Sequence, residues 1–432
     1  MLAEKPGSHG LQRRPRRALA AWCLYDWANS AHPTVIVTFL FSAYFTRAVA
    51  ESSTHGTAVW GRTMGAIGLV VALTSPVLGA IADRTGRRKP WIALFTLVTV
   101  AATAMLYFTQ PSPQSIPWAV GWLLIGGIAF DYAAVFYNAM LPSLVAPERI
   151  GRASGWAWGL GYAGGLACLG TAYFVLLGAG APASAEPASQ TQAVRASTLL
   201  VAAWFALFSI PLFLFVPEAQ GRRVPLVRAV REGVAALASS VRRLVGRGRL
   251  GLFLVARMIY TDGLNTLFIF GGVYAAGTFD MDFAEIVRFG IALNVTAGLG
   301  AVGFAWVDDA VGPKATVMGS LLALAFLTTA LLLVESKQML WVLALSAGVF
   351  VGPAQAASRS LMARLVPTEA AAEAFGLYAL AGKATAFAGP WLVGLGTATF
   401  ESQRAGMAVI PALLVLGLAL LTGVPRPRAD SA

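Results

Sequence analysis

The sequence predicts an all-α membrane protein with twelve transmembrane helices in two pseudo-symmetric six-helix halves. Three observations carry that prediction. The 432 residues are 57% hydrophobic and only 12% charged, with a mean hydropathy of +0.69, where an ordinary soluble domain is about 25% charged. The apolar residues fall into long segments, and the basic residues collect in alternate loops between them. Motifs of the first half recur, in the same order, in the second.

A helix needs about 20 apolar residues to cross lipid, so twelve spans take roughly 260 residues and leave no room for a separate soluble enzyme domain. The spans are predicted at 20–48, 60–82, 90–109, 117–145, 153–178, 196–216, 252–277, 284–307, 314–334, 338–365, 372–399 and 404–424. An even number puts both termini on one side. Arg13 to Arg17, Arg84 to Lys89, Arg149 with Arg152, the arginines of 222–249, Lys314, and Arg426 with Arg428 then share that side, which the positive-inside rule makes cytoplasmic. The opposite loops hold Arg62 and Arg195 among Glu51, Asp280, Asp282, Glu285, Glu335 and Glu401. One miscounted span would throw later basic clusters onto the wrong side, so the charges check the hydropathy independently.

The expected organisation is a cytoplasmic tail (1–19), an N-terminal half (20–216), a basic cytoplasmic linker (217–250), a C-terminal half (251–424) and a cytoplasmic tail (425–432). The N-terminal arginines resemble the start of a signal peptide, but the apolar stretch after them is too long and lacks a small-residue cleavage site. It reads as an uncleaved first helix. The linker reads as an amphipathic surface helix whose arginines meet anionic headgroups, worth about 1 kcal/mol per charge. These features predict an integral protein of the bacterial cytoplasmic (inner) membrane, working as a monomer in the lipid bilayer.

The net charge of +12 does not indicate a nucleic-acid partner, because the basic residues are scattered in short clusters between apolar runs instead of forming one face. Cys23 and Cys168 both lie inside predicted spans, where a thiol behaves as a small hydrophobe. No zinc spacing, phosphate-binding Walker loop, Ser/His/Asp arrangement or dinucleotide fingerprint occurs in a credible setting. No catalytic residue, metal or cofactor is expected, and ATP-driven transport and membrane enzymology are disfavoured.

The internal repeat is read from four correspondences. Asp26-x-x-Asn29 in the first predicted helix matches Asp262-x-x-Asn265 in the seventh. Asn138 to Val145, ending the fourth, matches Arg359 to Val366, ending the tenth. Gly155 to Tyr162 in the fifth matches Gly376 to Lys383 in the eleventh. Gly79 to Lys89, after the second, matches a degraded copy, Asp309 to Lys314, after the eighth, with the same Asp-to-Gly spacing. Halves repeated in this order are related by an axis along the membrane normal and rock against each other as rigid bodies.

Gly79-Ala-Ile-Ala-Asp83-Arg84-Thr-Gly86-Arg87-Arg88-Lys89 resembles the loop motif Gly-x-x-x-Asp-Arg-x-Gly-Arg-Arg-Lys of the major facilitator superfamily. Gly79 and Gly86 allow close backbone approach. Asp83 is suited to pair with an arginine or helix N-terminus of the other half, a latch closing the cytoplasmic side in the outward-facing state. Trp22 to Ala31 resembles the first-helix signature of the vacuole-effluxer-like branch of that superfamily, related to autophagy. Phe136 to Pro142, Tyr260 to Gly272, Ser358 to Leu365, Phe375 to Tyr378 and Gly382-Lys383 resemble the same branch. The resemblance implies the twelve-helix facilitator fold and export of amino acids or similar small organic solutes. His32 and Pro33 depart from the branch pattern. The Gly-Pro pair typical of the fifth helix in facilitator antiporters is missing there, with Gly389-Pro390 in the eleventh its nearest relative.

A charge inside a span costs about 2.5–3.5 kcal/mol and needs a partner or a watery cavity. Asp26, Asp262 and Arg359 come out roughly 9 Å inside the cytoplasmic boundary at 1.5 Å per residue. With Asn29 and Asn265 they read as a gate layer, or as structural pairs involving Arg257. Deeper in lie His32, Asp131 and Lys383, expected to meet in a central cavity. Asp131, with or without His32, is the candidate proton carrier. Lys383 either attracts a substrate carboxylate or pairs with Asp131. Tyr137, Asn138, Trp158 and Tyr378 complete the candidate substrate-binding set, although most aromatics in such a chain pack between helices or face lipid. The expected activity is secondary active transport of a small-molecule solute, an amino acid or related zwitterion, coupled to protons by alternating access. An exporter of apolar drugs or lipids and a non-transporting scaffold or receptor are the alternatives.

Overall fold

The computed structural model describes residues 8–51, 53–85, 87–174, 187–218, 249–279, 281, 283–383 and 385–424. Each predicted segment forms a helix: α1 (Ser8–Asn29), α2 (Ser53–Thr85), α3 (Lys89–Met105), α4 (Ile116–Ala139), α5 (Ile150–Thr171), α6 (Pro187–Phe215), α7 (Arg249–Phe279), α8 (Phe283–Gly303), α9 (Pro313–Leu333), α10 (Lys337–Leu365), α11a (Ala371–Lys383) with α11b (Ala388–Phe400), and α12 (Val409–Thr422). Among the described residues, eight helical runs are long and apolar enough to cross a membrane: those of α3, α4, α6 to α10 and α12. The others depart for local reasons. α5 is diluted by glycine, α2 has only a shorter apolar stretch from Val59 to Ser75, and α1 and α11 are interrupted. Most of the predicted linker, both chain ends and Gly86 lie outside the described residues.

Two differences from the expected boundaries have physical causes. The first segment, predicted as one helix from residue 20, begins at Ser8 and changes to wide π-helical turns over His32–Phe39 and Phe45–Val49. Pro33 has no N–H to donate, and the ladder resumes with bonds one residue longer, such as Leu40 N–H to Val35 O. The eleventh segment breaks between Lys383 and Ala388. Pro390 then falls in the first turn of α11b, where a missing N–H is tolerated.

The halves meet along two seams, α2 against α11a and α5 against α8, with α10 also packed on α5. These seams exchange under the repeat, since α2 corresponds to α8 and α5 to α11. Small residues set their spacing. A Cβ on Gly155 would lie 2.6 Å from the carbonyl oxygen of Ala301, and Gly159 faces Val302 and Gly298 on the same helix. The other side of α5 rests on α1: a Cβ on Gly164 would lie 2.7 Å from the Cα of Trp27, and one on Gly161 would lie 2.7 Å from Ser30 Oγ. α5 is therefore held between its own half and the other with no room for a side chain at Gly155, Gly159, Gly161 or Gly164.

Gly164→Ala, which would gain about 0.5–1 kcal/mol of propensity in an open helix, is expected to lower the melting temperature of the purified protein. Gly170→Ala, which meets nothing within 4 Å, is expected to leave it unchanged or raise it slightly.

Candidate functional site

Polar side chains bridge the two halves at successive depths. The outermost layer lies at the end of the bundle that carries the basic loops. Asp309, just beyond α8, accepts the backbone N–H of Gly151 at 2.9 Å and of Arg152 at 3.3 Å, and pairs with Arg152 Nε at 2.6 Å and Arg364 Nη2 at 3.0 Å. A carboxylate of one half thus sits on the positive N-terminal end of α5 in the other. Gly151 permits this, since a Cβ there would lie 2.6 Å from Asp308 Cγ. Arg88 makes a second crossing: its guanidinium donates to the carbonyls of Ala139 at 2.9 Å and Thr368 at 2.6 Å. Its backbone N–H donates to Glu218 at 2.8 Å.

The motif of the first half was expected to supply this latch. Gly79 is buried and Arg87 exposed, while the side chains of Asp83 and Arg84, like Gly86, lie outside the described residues. The contact that is described uses the degraded second copy, through Asp309. Its signal in the sequence was the repeated Asp-to-Gly spacing, which reveals the duplication but not which copy meets a helix end.

The next layer centres on Arg359 of α10, whose side chain is 4% exposed. Nη1 donates to Asp26 Oδ2 at 2.9 Å and to Asn138 Oδ1 at 3.3 Å. Nε donates to Ser154 Oγ at 2.8 Å, and Nη2 to the Ser154 carbonyl at 2.6 Å. The guanidinium carbon lies 5.1 Å from the Trp22 ring and 5.7 Å from that of Trp158, whose buried indole N–H has no partner among the described residues. One arginine of the C-terminal half is therefore held by α1, α4 and α5 together. Ser154 and Trp22 were not anticipated, because only folding brings them to the guanidinium.

The expected layer of Asp26, Asp262 and Arg359 divides. Asp262 of α7 is buried and takes its hydrogen bond from the Gly389 N–H of α11b at 2.9 Å. Arg257 also lies away from both aspartates. It donates to the Tyr378 carbonyl at 2.6 Å, with its guanidinium carbon 3.4 Å from the centre of the Tyr378 ring, which occupies Tyr378 as a packing partner. Asn29 is buried and Asn265 half-buried. Tyr137 is buried between α1 and α4, donating its hydroxyl to the Trp22 carbonyl at 3.0 Å and stacking on Trp22 at 4.6 Å.

Mid-way along the bundle, Lys383 Nζ at the end of α11a meets Asp131 Oδ2 of α4 at 3.0 Å. Asp131 and Asn138 are two turns apart, so α4 presents both on one face. The pair is less buried than Arg359 and Asp26, with Lys383 38% and Asp131 18% exposed. Ser75 of α2, donating to the Gly376 carbonyl at 3.0 Å, fixes α11a beside it. His32 does not join the pair: its Nδ1 is 3.1 Å from Thr103 Oγ1 and its ring stacks on Phe130 at 5.1 Å. It packs within its own half because the π-helical turn starting there aims it at α3 and α4.

Two six-helix halves bridged in this way have the architecture of a major facilitator protein, and similar proteins identify the class as transporters. Residues 63–432 match the family model described as "Vacuole effluxer Atg22 like", and the chain belongs to that family. It is 30% identical to the uncharacterized MFS-type transporter YxiO of Bacillus subtilis over 94% of both chains. It is 25% identical to autophagy-related protein 22 of Cryptococcus neoformans over 56% of this chain and 46% of that one. The fold is similar to those of the human organic anion transporter MFSD10 (TM-score 0.71, 18% identity, covering 94% of this chain and 99% of that one) and the proton:xylose symporter XylE (0.74, 16%, 96% and 97%).

Arg359→Ala leaves Asp26 buried without its counter-charge, a loss of about 3–5 kcal/mol for a buried pair, and is expected to lower the melting temperature strongly. Asp26→Asn combined with Arg359→Gln leaves no unpaired charge and is expected to recover part of that loss in the same thermal scan.

Proposed function

We propose that the chain is a secondary transporter of a small zwitterion, an amino acid or a close relative, working by proton-coupled alternating access in the bacterial cytoplasmic membrane. The observation that carries this reading is the half-buried Lys383–Asp131 pair joining α11a to α4 at mid-depth. A zwitterion offers both complementary charges: its carboxylate replaces Asp131 at Lys383 and its ammonium replaces Lys383 at Asp131. Exchange of partners leaves no charge bare in a low-dielectric site. It also separates α4 from α11a, so solute binding loosens one crossing between the halves. Asp131 is the group that takes up or releases a proton when neither the lysine nor a solute ammonium is paired with it.

With the basic loops cytoplasmic, the Asp309 and Arg88 crossings close the cytoplasmic end, and the Arg359 cluster forms the gate above them. Transport then requires the halves 20–216 and 251–424 to rock until both layers part. Asn138 and Trp158, beside Arg359, belong to the gate side of the path. The description of the matching family as effluxer-like accords with a transport role.

The test is thermal stability of the purified protein against amino acids, peptides, sugars, organic cations and lipids at two pH values. A ligand at 100 times its Kd stabilises the folded state by about 2.7 kcal/mol. An amphoteric solute is expected to raise the melting temperature of the wild type but not of Lys383→Ala or Asp131→Asn. A shift with apolar drugs or lipids alone would overturn the zwitterion assignment.

A further inference from the structure

The duplication gives the chain two equivalent membrane aspartates, and the structure treats them differently. Asp26 of α1 is neutralised by Arg359, which α10 supplies from the opposite half. The repeat places Asp262 of α7 as its mate and Asn138 of α4 as the mate of Arg359. The repeat therefore supplies no guanidinium for the second site, and the amide of Asn138 is itself turned to Arg359. Among the described residues no basic side chain pairs with Asp262. The cations on neighbouring elements are engaged elsewhere: Arg257 on Tyr378, Lys383 on Asp131 and Arg359 on Asp26.

The rest of the Asp262 environment is closed and short of donors. The residue is 3% exposed. Oδ2 accepts the Gly389 N–H at 2.9 Å, in the first turn of α11b, while Oδ1 is buried with no partner. Thr266, one turn further along α7, spends its hydroxyl proton on the Asp262 carbonyl at 2.7 Å. Its oxygen and Asp262 Oδ1 both lie against Gly389, where a Cβ would come 3.1 Å from Oδ1 and collide with Thr266 Oγ1. On the α12 side the helix meets Ile410, Leu413 and Leu414, which carry no charge. Tyr260, on the same helix, has its hydroxyl on Ser358 at 2.6 Å.

We infer that Asp262 and the break in α11 form a proton site, separate from the Asp131–Lys383 pair, in which Oδ1 carries a proton in this conformation. A carboxylate there would leave a bare buried charge answered by one N–H, with the Thr266 hydroxyl oxygen against the same glycine and its proton already spent. A carboxylic acid leaves only a neutral O–H. The site takes a proton in preference to a metal cation, because one free oxygen in a packed space cannot build a coordination shell. Because its hydrogen bond is to the first turn of α11b, movement of that half-helix relative to α7 changes the site. Proton loss is thereby tied to the rearrangement of the α11 break, beside Lys383. The purpose of this proton rests on the transporter reading; its presence does not.

The test is infrared difference spectroscopy of the full-length protein in lipid nanodiscs, titrated with acid and base. The wild type is expected to show a protonated-carboxyl C=O band at neutral pH that is lost in Asp262→Asn and kept in Asp131→Asn. Thr266→Val is expected to shift the band, which keeps the test decisive should Asp262→Asn not fold. Absence of the band in the wild type, its persistence in Asp262→Asn, or its indifference to Thr266→Val would overturn the assignment. So would its loss when sodium chloride replaces N-methylglucamine chloride, which would make the site a sodium site. The band present with no amphoteric solute binding overturns the zwitterion reading alone; solute binding with no band overturns the proton site alone.

Discussion

A guanidinium buried between membrane helices persists only where its donors find acceptors, and Arg359 places that demand on three helices of the opposite half. Asp26 offers the charge, Ser154 two oxygens and Asn138 an amide oxygen, from α1, α5 and α4 respectively. Each is useful to Arg359 only while the halves are closed at this depth. The cluster thus converts the cost of an intramembrane charge into a preference for one arrangement of two bodies. The other crossings follow the same logic with less burial: Asp309 on the end of α5, and Lys383 on Asp131.

The glycines of α5 make this geometry reachable. Ser154 and Gly151 lie close enough to α10 and to Asp309 because Gly155 and Gly159 let α8 approach on one side and Gly161 and Gly164 let α1 approach on the other. A side chain at any of these points would widen the seam and stretch hydrogen bonds of 2.6 to 2.9 Å. Packing and electrostatics are therefore one design here. Small residues bring backbones together, and the closeness lets a few charges hold the halves.

The repeat explains where the charges lie, and its imperfections explain how they differ. Arg359 against Asn138 is one such imperfection, giving one aspartate a partner and leaving its mate with a backbone N–H. The full motif at the end of α2 and its degraded copy after α8 are another. The degraded copy still reaches a helix end, because that contact needs a carboxylate and a tight approach more than it needs the full run of arginines.

Hydropathy and charge placement were sufficient for the helical class and the order of the segments, because the bilayer imposes length and polarity on each span separately, while the resemblance to the facilitator family came from motifs such as Gly79 to Lys89. The depth of Arg359 and Asp26, and of Lys383 and Asp131, could be read in the same way, since rise per residue converts position into height. Direction could not be read. His32, at a suggestive depth, turns toward Thr103 within its own half, Arg257 goes to Tyr378, and Asp262 goes to the broken end of α11b. Height in the membrane is a one-dimensional property that the chain carries locally. Which charges meet at that height depends on how the breaks at Pro33 and before Pro390 redirect the chain and on helix rotation, which is settled only when the helices pack.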